Sequence, residues 1–163
     1  MKVVFVEIDR CIACFNCMRV CTFRADQVHH CQTSNIFINV DLDRRKIFAG
    51  VCLQCEAALC MKICPTAAIR RDPETGALVV EQRLCIGCGM CVTVCPFGNM
   101  QLDAVRRVAT KCDLCGGRPR CVQVCMARAL HFGSLAEVAA SRKDRGGPRL
   151  LVRALSLEES GRP

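Results

Sequence analysis

The chain has 163 residues, 52% of them apolar, with 17 cysteines, seven phenylalanines and no tryptophan or tyrosine. Lysine and arginine outnumber aspartate and glutamate by 23 to 15, a formal charge of +8, yet a basic balance without stacking aromatics does not point to nucleic-acid binding. No stretch approaches the roughly 20 apolar residues of a spanning helix, and the first residues reach Glu7 and Asp9 too soon for a signal peptide, so a cytoplasmic location is expected and a disulfide framework is not.

Residues 3–8 carry the first strand signal. The first cysteine run follows, Cys11-x2-Cys14-x2-Cys17-x3-Cys21. The connection 22–51 holds strand signals at 36–40 and 46–48, and also Cys31, the odd cysteine, which reads as a free thiol behind His29 and His30. The second run is Cys52-x2-Cys55-x4-Cys60-x3-Cys64. Asp72-Pro73-Glu74-Thr75-Gly76 then reads as the turn of a hairpin, with a strand at 77–81. The third run is Cys85-x2-Cys88-x2-Cys91-x3-Cys95 and the fourth Cys112-x2-Cys115-x5-Cys121-x3-Cys125. Ser134-Leu135-Ala136-Glu137 resembles a capping box that opens a helix to about Lys143, and Arg145-Gly146-Gly147-Pro148 breaks it. The apolar tail 149–157 then needs a partner surface or its own domain. His29, His30 and His131 have no partners at catalytic spacing and read as surface or interface residues.

Sixteen cysteines thus fall into four runs, each with the spacing that wraps an iron–sulfur cubane. Three cysteines on a tight loop grip three corners of one cube. The fourth, expected at the start of a helical turn pointing away, ligates the neighbouring cluster. Pro65 and Pro96 follow Cys64 and Cys95 as in the bacterial two-cluster pattern and suit the first turn of a helix. Residues 66–70, 98–102 and 127–130 suit one helical turn leading into an edge strand. Zinc sites join two cysteine pairs across a dozen or more residues and need no third cysteine such as Cys17 or Cys91.

Four [4Fe–4S] clusters are therefore expected. Each oxidised cube with its thiolates carries about −2, so four bring about −8 and largely cancel the formal positive charge. Metal ligation should replace much of the apolar core, so the apo-chain should not fold. No Gly-x-Gly-x-x-Gly follows a strand, and no Ser-His-Asp, Cys-His or paired-carboxylate arrangement stands out. The expectation is a non-catalytic electron-transfer component with an α+β fold.

The runs, with Asp9-Arg10-Cys11-Ile12-Ala13-Cys14, Cys85-Ile86-Gly87-Cys88, Cys95-Pro96-Phe97-Gly98 and Lys111-Cys112-Asp113-Leu114-Cys115, resemble four-cluster ferredoxin-like subunits. Such subunits accompany molybdenum or tungsten pterin oxidoreductases, hydrogenases and carbon monoxide dehydrogenase. The resemblance covers residues 1 to about 133. It implies duplicated bacterial-type two-cluster ferredoxin modules in one polyferredoxin chain: an outer module of 1–30 plus 105–133, an inner module of 50–104, and a helix and docking tail at 134–163.

It implies that Cys11, Cys14, Cys17 and Cys125 hold cluster 1; Cys21, Cys112, Cys115 and Cys121 cluster 2; Cys52, Cys55, Cys60 and Cys95 cluster 3; and Cys64, Cys85, Cys88 and Cys91 cluster 4. It also implies a hetero-oligomer, with a catalytic oxidoreductase subunit and a flavin/NAD-binding or hydrogenase subunit as partners. The small subunit of a tungsten aldehyde oxidoreductase is the leading candidate, with formate dehydrogenase beside it. A free diffusible polyferredoxin and a maturation protein are the alternatives.

Thr22 and Met126 stand where prolines follow the inner fourth cysteines. Their restored N–H groups are expected to raise the outer clusters' potentials. The arginine pairs Arg44-Arg45 and Arg106-Arg107 read as solvated faces or as complements to an acidic redox partner.

Overall fold

Val3 and Val4 are both buried within a short extended segment, and Lys2–Val6 forms strand β1. It pairs antiparallel with β8, Leu130–Ser134, at the far end of the cysteine-bearing region, with Val4 opposite Phe132. The computed structural model describes residues 2–26 and 33–144. Cys31, His29, His30, the break at Arg145-Gly146-Gly147-Pro148 and the tail 149–157 lie outside the described residues.

After a single 3₁₀ turn at Ile8–Arg10, helix α1 runs Asn16–Asp26. Strands β2, Ile36–Asp41, and β3, Lys46–Val51, then form a hairpin with Ile36 opposite Val51. Strand β3 extends beyond the expected 46–48, and this longer run delivers Cys52 directly from its end. Two shorter hairpins follow, β4 (Ile69–Arg71) with β5 (Leu78–Val80), and β6 (Gln101–Leu102) with β7 (Ala109–Thr110). Helices α2 (Leu59–Lys62), α3 (Met90–Val94) and α4 (Arg120–Gln123) are single turns. Helix α1 packs on α4, and α2 on α3. The result is a small mixed fold of strands and short helices.

Each single-turn helix precedes its fourth cysteine, which corrects the expectation of a helix beginning there. Residues 66–70, 98–102 and 127–130 open as turns instead. In the third run the reason is steric: a residue before proline is pushed out of the helical region, and Cys95, before Pro96, ends α3 in extended conformation at φ −74°, ψ 109°. In the fourth run α4 ends at Gln123 although Met126, not proline, follows Cys125, so the stop does not require proline.

Both inner hairpins use the same turn. Gly76 N–H donates to Asp72 O and Asp72 N–H to Ala77 O; Arg107 N–H donates to Asp103 O and Asp103 N–H to Val108 O. Asp72 Oδ1 caps the amides of Glu74 and Thr75, and Asp103 Oδ1 those of Val105 and Arg106. Arg107 holds the left-handed position, φ 55°, that Gly76 holds at 70°. Arg106-Arg107 is therefore part of a turn, with Arg106 also 3.6 Å from the Asp103 carboxylate.

One apolar core gathers Val4, Ile36, Ile38, Val51, Leu114 and Leu130 around Cys17 and Cys121. A second gathers Ile69, Met100 and Ala109 around Cys91. At the end of β8 the capping box forms: Ser134 N–H donates to the Glu137 carboxylate and Glu137 N–H to Ser134 Oγ, opening α5, Leu135–Asp144. His131 is half-buried in β8, stacked on Phe5 at 5.1 Å with its Nε2 2.9 Å from Glu7 Oε1. Its ring packs on the sheet while about a third of the side chain stays accessible at the surface.

Candidate metal centres

A chain that wraps around a compact object must turn sharply within three residues, and φ/ψ sterics allow this mainly through left-handed residues. All four runs make this turn at the residue before the second cysteine: Ala13 (φ 52°), Gln54 (52°), Gly87 (68°) and Leu114 (57°). A second left-handed residue stands three places after the fourth cysteine in three runs, at Ala67 (52°), Gly98 (62°) and Arg128 (48°). In each, its N–H closes a turn onto the fourth cysteine's carbonyl. The first run differs, because α1 continues through Cys21 to Asp26. A left-handed non-glycine residue costs about 1–2 kcal/mol, and such strain persists only where the surroundings enforce it.

These turns deliver the cysteines to four cavities. Cys11, Cys14, Cys17 and Cys125 line one, walled by Val6, Phe15, Ile38 and Leu130. Cys21, Cys112, Cys115 and Cys121 line a second. Cys52, Cys55, Cys60 and Cys95 line a third, the roomiest of the four. Cys64, Cys85, Cys88 and Cys91 line a fourth. Among the described residues no three His, Cys, Asp or Glu converge on a point for one metal ion. A cube gripped at its corners needs thiols spread around a cavity, and that is the arrangement present.

The cavities are linked in series. Helix α1 carries Cys17 of the first and Cys21 of the second, and α4 joins Cys121 of the second to Cys125 of the first. Cys60 and Cys64, and likewise Cys91 and Cys95, connect the third and fourth across α2 and α3. Among the described residues no helix joins the second and third. There Gln54 Nε2 donates to Cys112 O at 2.8 Å, and Lys111 Nζ donates to the same oxygen at 2.9 Å.

The sulfurs sit in two kinds of surroundings. Burial pushes the Cys17 thiol up to about 11 and that of Cys112 to about 12, and raises Cys121 as well. Such thiols bind metal only as thiolates, so the positive iron has to supply what the protein alone withholds. Cys64 goes the other way. Burial works upward on it, but hydrogen bonds from the Thr66 hydroxyl and the Thr66, Ala68 and Ile69 amides outweigh that and hold it low.

Ala68 N–H meets Cys64 Sγ at 3.3 Å, and Ala129 N–H meets Cys125 Sγ at 3.2 Å, the same four-residue offset with and without a following proline. Asn35 and Ala109 amides reach Cys21 and Cys85 at 3.4 and 3.3 Å. At Cys64 a following proline therefore does not leave the sulfur short of donors, and between Cys64 and Cys125 the contrast drawn from Met126 has no counterpart.

Sequence reasoning passed over Gln54 and Lys111. Gln54 is wholly buried and also accepts Leu78 N–H at 2.9 Å. Lys111 stands in the motif Lys111-Cys112-Asp113-Leu114-Cys115 and Gln54 inside the second run, but their joint role shows only where residues 57 and 58 positions apart meet.

Residues 44–135 match the family described as a 4Fe-4S dicluster domain. The chain is similar to the polyferredoxin-like subunit of aliphatic sulfonate oxidoreductase from Pyrococcus furiosus, 33% identical over 75% of this chain and 70% of that one. It is similar to one of the chains of anaerobic dimethyl sulfoxide reductase from Escherichia coli, 31% identical over 92% of this chain and 82% of that one. A subunit of sulfite dehydrogenase from Allochromatium vinosum is 37% identical, over 64% of this chain and only 50% of that protein's length.

Proposed function

Because this chain is a member of the 4Fe-4S dicluster family, an iron–sulfur electron-transfer subunit of oxidoreductase complexes, we propose that it relays single electrons through four [4Fe–4S] clusters in series. The observation that carries this reading is the cavity set, each cavity ringed by four cysteines and joined to the next.

In this reading Cys11, Cys14, Cys17 and Cys125 hold the first cluster, and Cys21, Cys112, Cys115 and Cys121 the second. Cys52, Cys55, Cys60 and Cys95 hold the third, and Cys64, Cys85, Cys88 and Cys91 the fourth. Residues on either side of the middle joint then form two duplicated two-cluster modules. Bound clusters supply one-electron chemistry; the chain spaces them, keeps water from them with apolar walls, and sets potentials through sulfur hydrogen bonds. The end clusters are the natural terminals, and their rims carry exposed Ile12 and Ile86, 62% and 67% accessible.

The catalytic partner proposed is a molybdenum or tungsten pterin enzyme. Aldehyde oxidoreductase and formate dehydrogenase remain candidates, and the relatives' names add enzymes of sulfonate, sulfite and sulfoxide chemistry. Among the described residues no helix is long and apolar enough to cross a membrane. Anaerobic affinity purification from the native host tests the reading. Retention of a large pterin-containing subunit is expected; recovery of the chain alone with its clusters would favour a diffusible polyferredoxin.

A further inference from the structure

Lys111 is the single buried cationic side chain among the described residues, only 6% accessible. Its three N–H groups are all used, on Leu78 O at 2.7 Å, Cys112 O at 2.9 Å and Gln54 Oε1 at 3.2 Å. These oxygens satisfy its hydrogen bonds but bring no negative charge. Among the described residues no carboxylate pairs with it. A buried ammonium without a counter-charge is costly, so something else must compensate.

Its position supplies the answer. Lys111 lines the cavity of Cys52, Cys55, Cys60 and Cys95, and its ammonium touches the carbonyl of Cys112, which lines the neighbouring cavity. Gln54, rigid in a left-handed backbone and wholly buried, fixes the ammonium there. Among the described residues the joint is also the only one of the three that no helix spans.

We propose that Lys111 is a fixed positive charge at the joint between the second and third clusters, raising the reduction potentials of those two together relative to the end clusters, so that an electron is stabilised at the joint while the driving force between the two middle clusters is unchanged. The inference rests on the four-cluster reading above. The step itself moves one electron from a reduced cluster to its oxidised neighbour, with no bond made and no proton transferred. A nearby positive charge stabilises the more negative reduced state, and the low dielectric of a buried site strengthens the effect.

The test is an EPR-monitored redox titration of the full chain, carrying Lys111→Met or Lys111→Arg, with iron per chain measured on the same samples. Lys111→Met should lower the potentials of the two middle clusters by at least about 59 mV, a tenfold change in a one-electron equilibrium. The end clusters should move less, and Lys111→Arg should restore most of the shift. Full iron with all four potentials unmoved, or all four displaced equally, overturns the inference while leaving the relay intact. Should Lys111→Met fail to retain iron, Gln54→Glu keeps the lysine and sets a carboxylate beside it. That variant must lower the same two potentials, and no shift there also overturns the inference. Fewer than four clusters in the unaltered chain would contradict the relay reading and this inference with it.

Discussion

At Gly87 one hydrogen atom decides whether a loop can close. Its φ is 68°, and a Cβ there would lie 2.2 Å from the carbonyl oxygen of Arg107, a backbone atom that cannot swing aside. Gly89, two residues on, is also left-handed at 76° but has nothing within 4 Å. Gly89→Ala should therefore cost only the backbone term of about 1–2 kcal/mol and keep its cluster. Gly87→Ala should lose the cluster of Cys64, Cys85, Cys88 and Cys91, read as lower iron per chain and a missing EPR signal. A fully loaded Gly87→Ala protein would show that the loop is not gripped as described. The same position shows where the sequence is silent. Glycine announces a left-handed turn in the third run, whereas Ala13, Gln54 and Leu114 adopt it unannounced, because tertiary constraint overrides their preference.

Among the elements, the hairpin turns are half legible. Asp72-Pro73-Glu74-Thr75-Gly76 displays its chemistry openly, but its twin at Asp103 hides behind Arg107, where no glycine signals the bend. The single-turn helices lie one step earlier than the prolines suggest: in the third run Pro96 acts on the preceding cysteine rather than as a helix starter, and α4 stops at the same place without a proline. The capping box is legible because Ser134 and Glu137 are enough to define it.

The hairpin also gives a pH prediction. The Thr75 amide, then the Thr75 hydroxyl, hold the Asp72 carboxyl below its ordinary value. A group depressed on folding stabilises above its unfolded pKa, and that contribution is lost as pH falls through the folded one. Amide protection at residues 74–77 should decline over that acidic window in the parent chain. In Asp72→Ala it should already be low and change little there; a pH profile in that variant identical to the parent's would refute the assignment.

For the whole molecule, cysteine spacing makes the number of clusters readable before any fold is known, since sixteen of seventeen cysteines fall into four runs. What spacing does not reveal is the middle joint, which depends on Gln54 and Lys111 meeting across more than fifty residues. The apolar cores are small and built around cysteines. Stripping the iron should therefore remove most secondary structure by circular dichroism, and anaerobic reconstitution should return it; a chain that stays folded after complete iron removal would contradict this.

The central claim is four cubes in series with crossed ligands between paired runs. Anomalous X-ray scattering at the iron edge, from crystals of the anaerobically purified protein, tests it most directly. Four iron centres are expected, one per cavity, with Cys125 completing the cube begun by Cys11, Cys14 and Cys17. A cube closed by Cys21 in its place, or fewer than four iron centres, would contradict it.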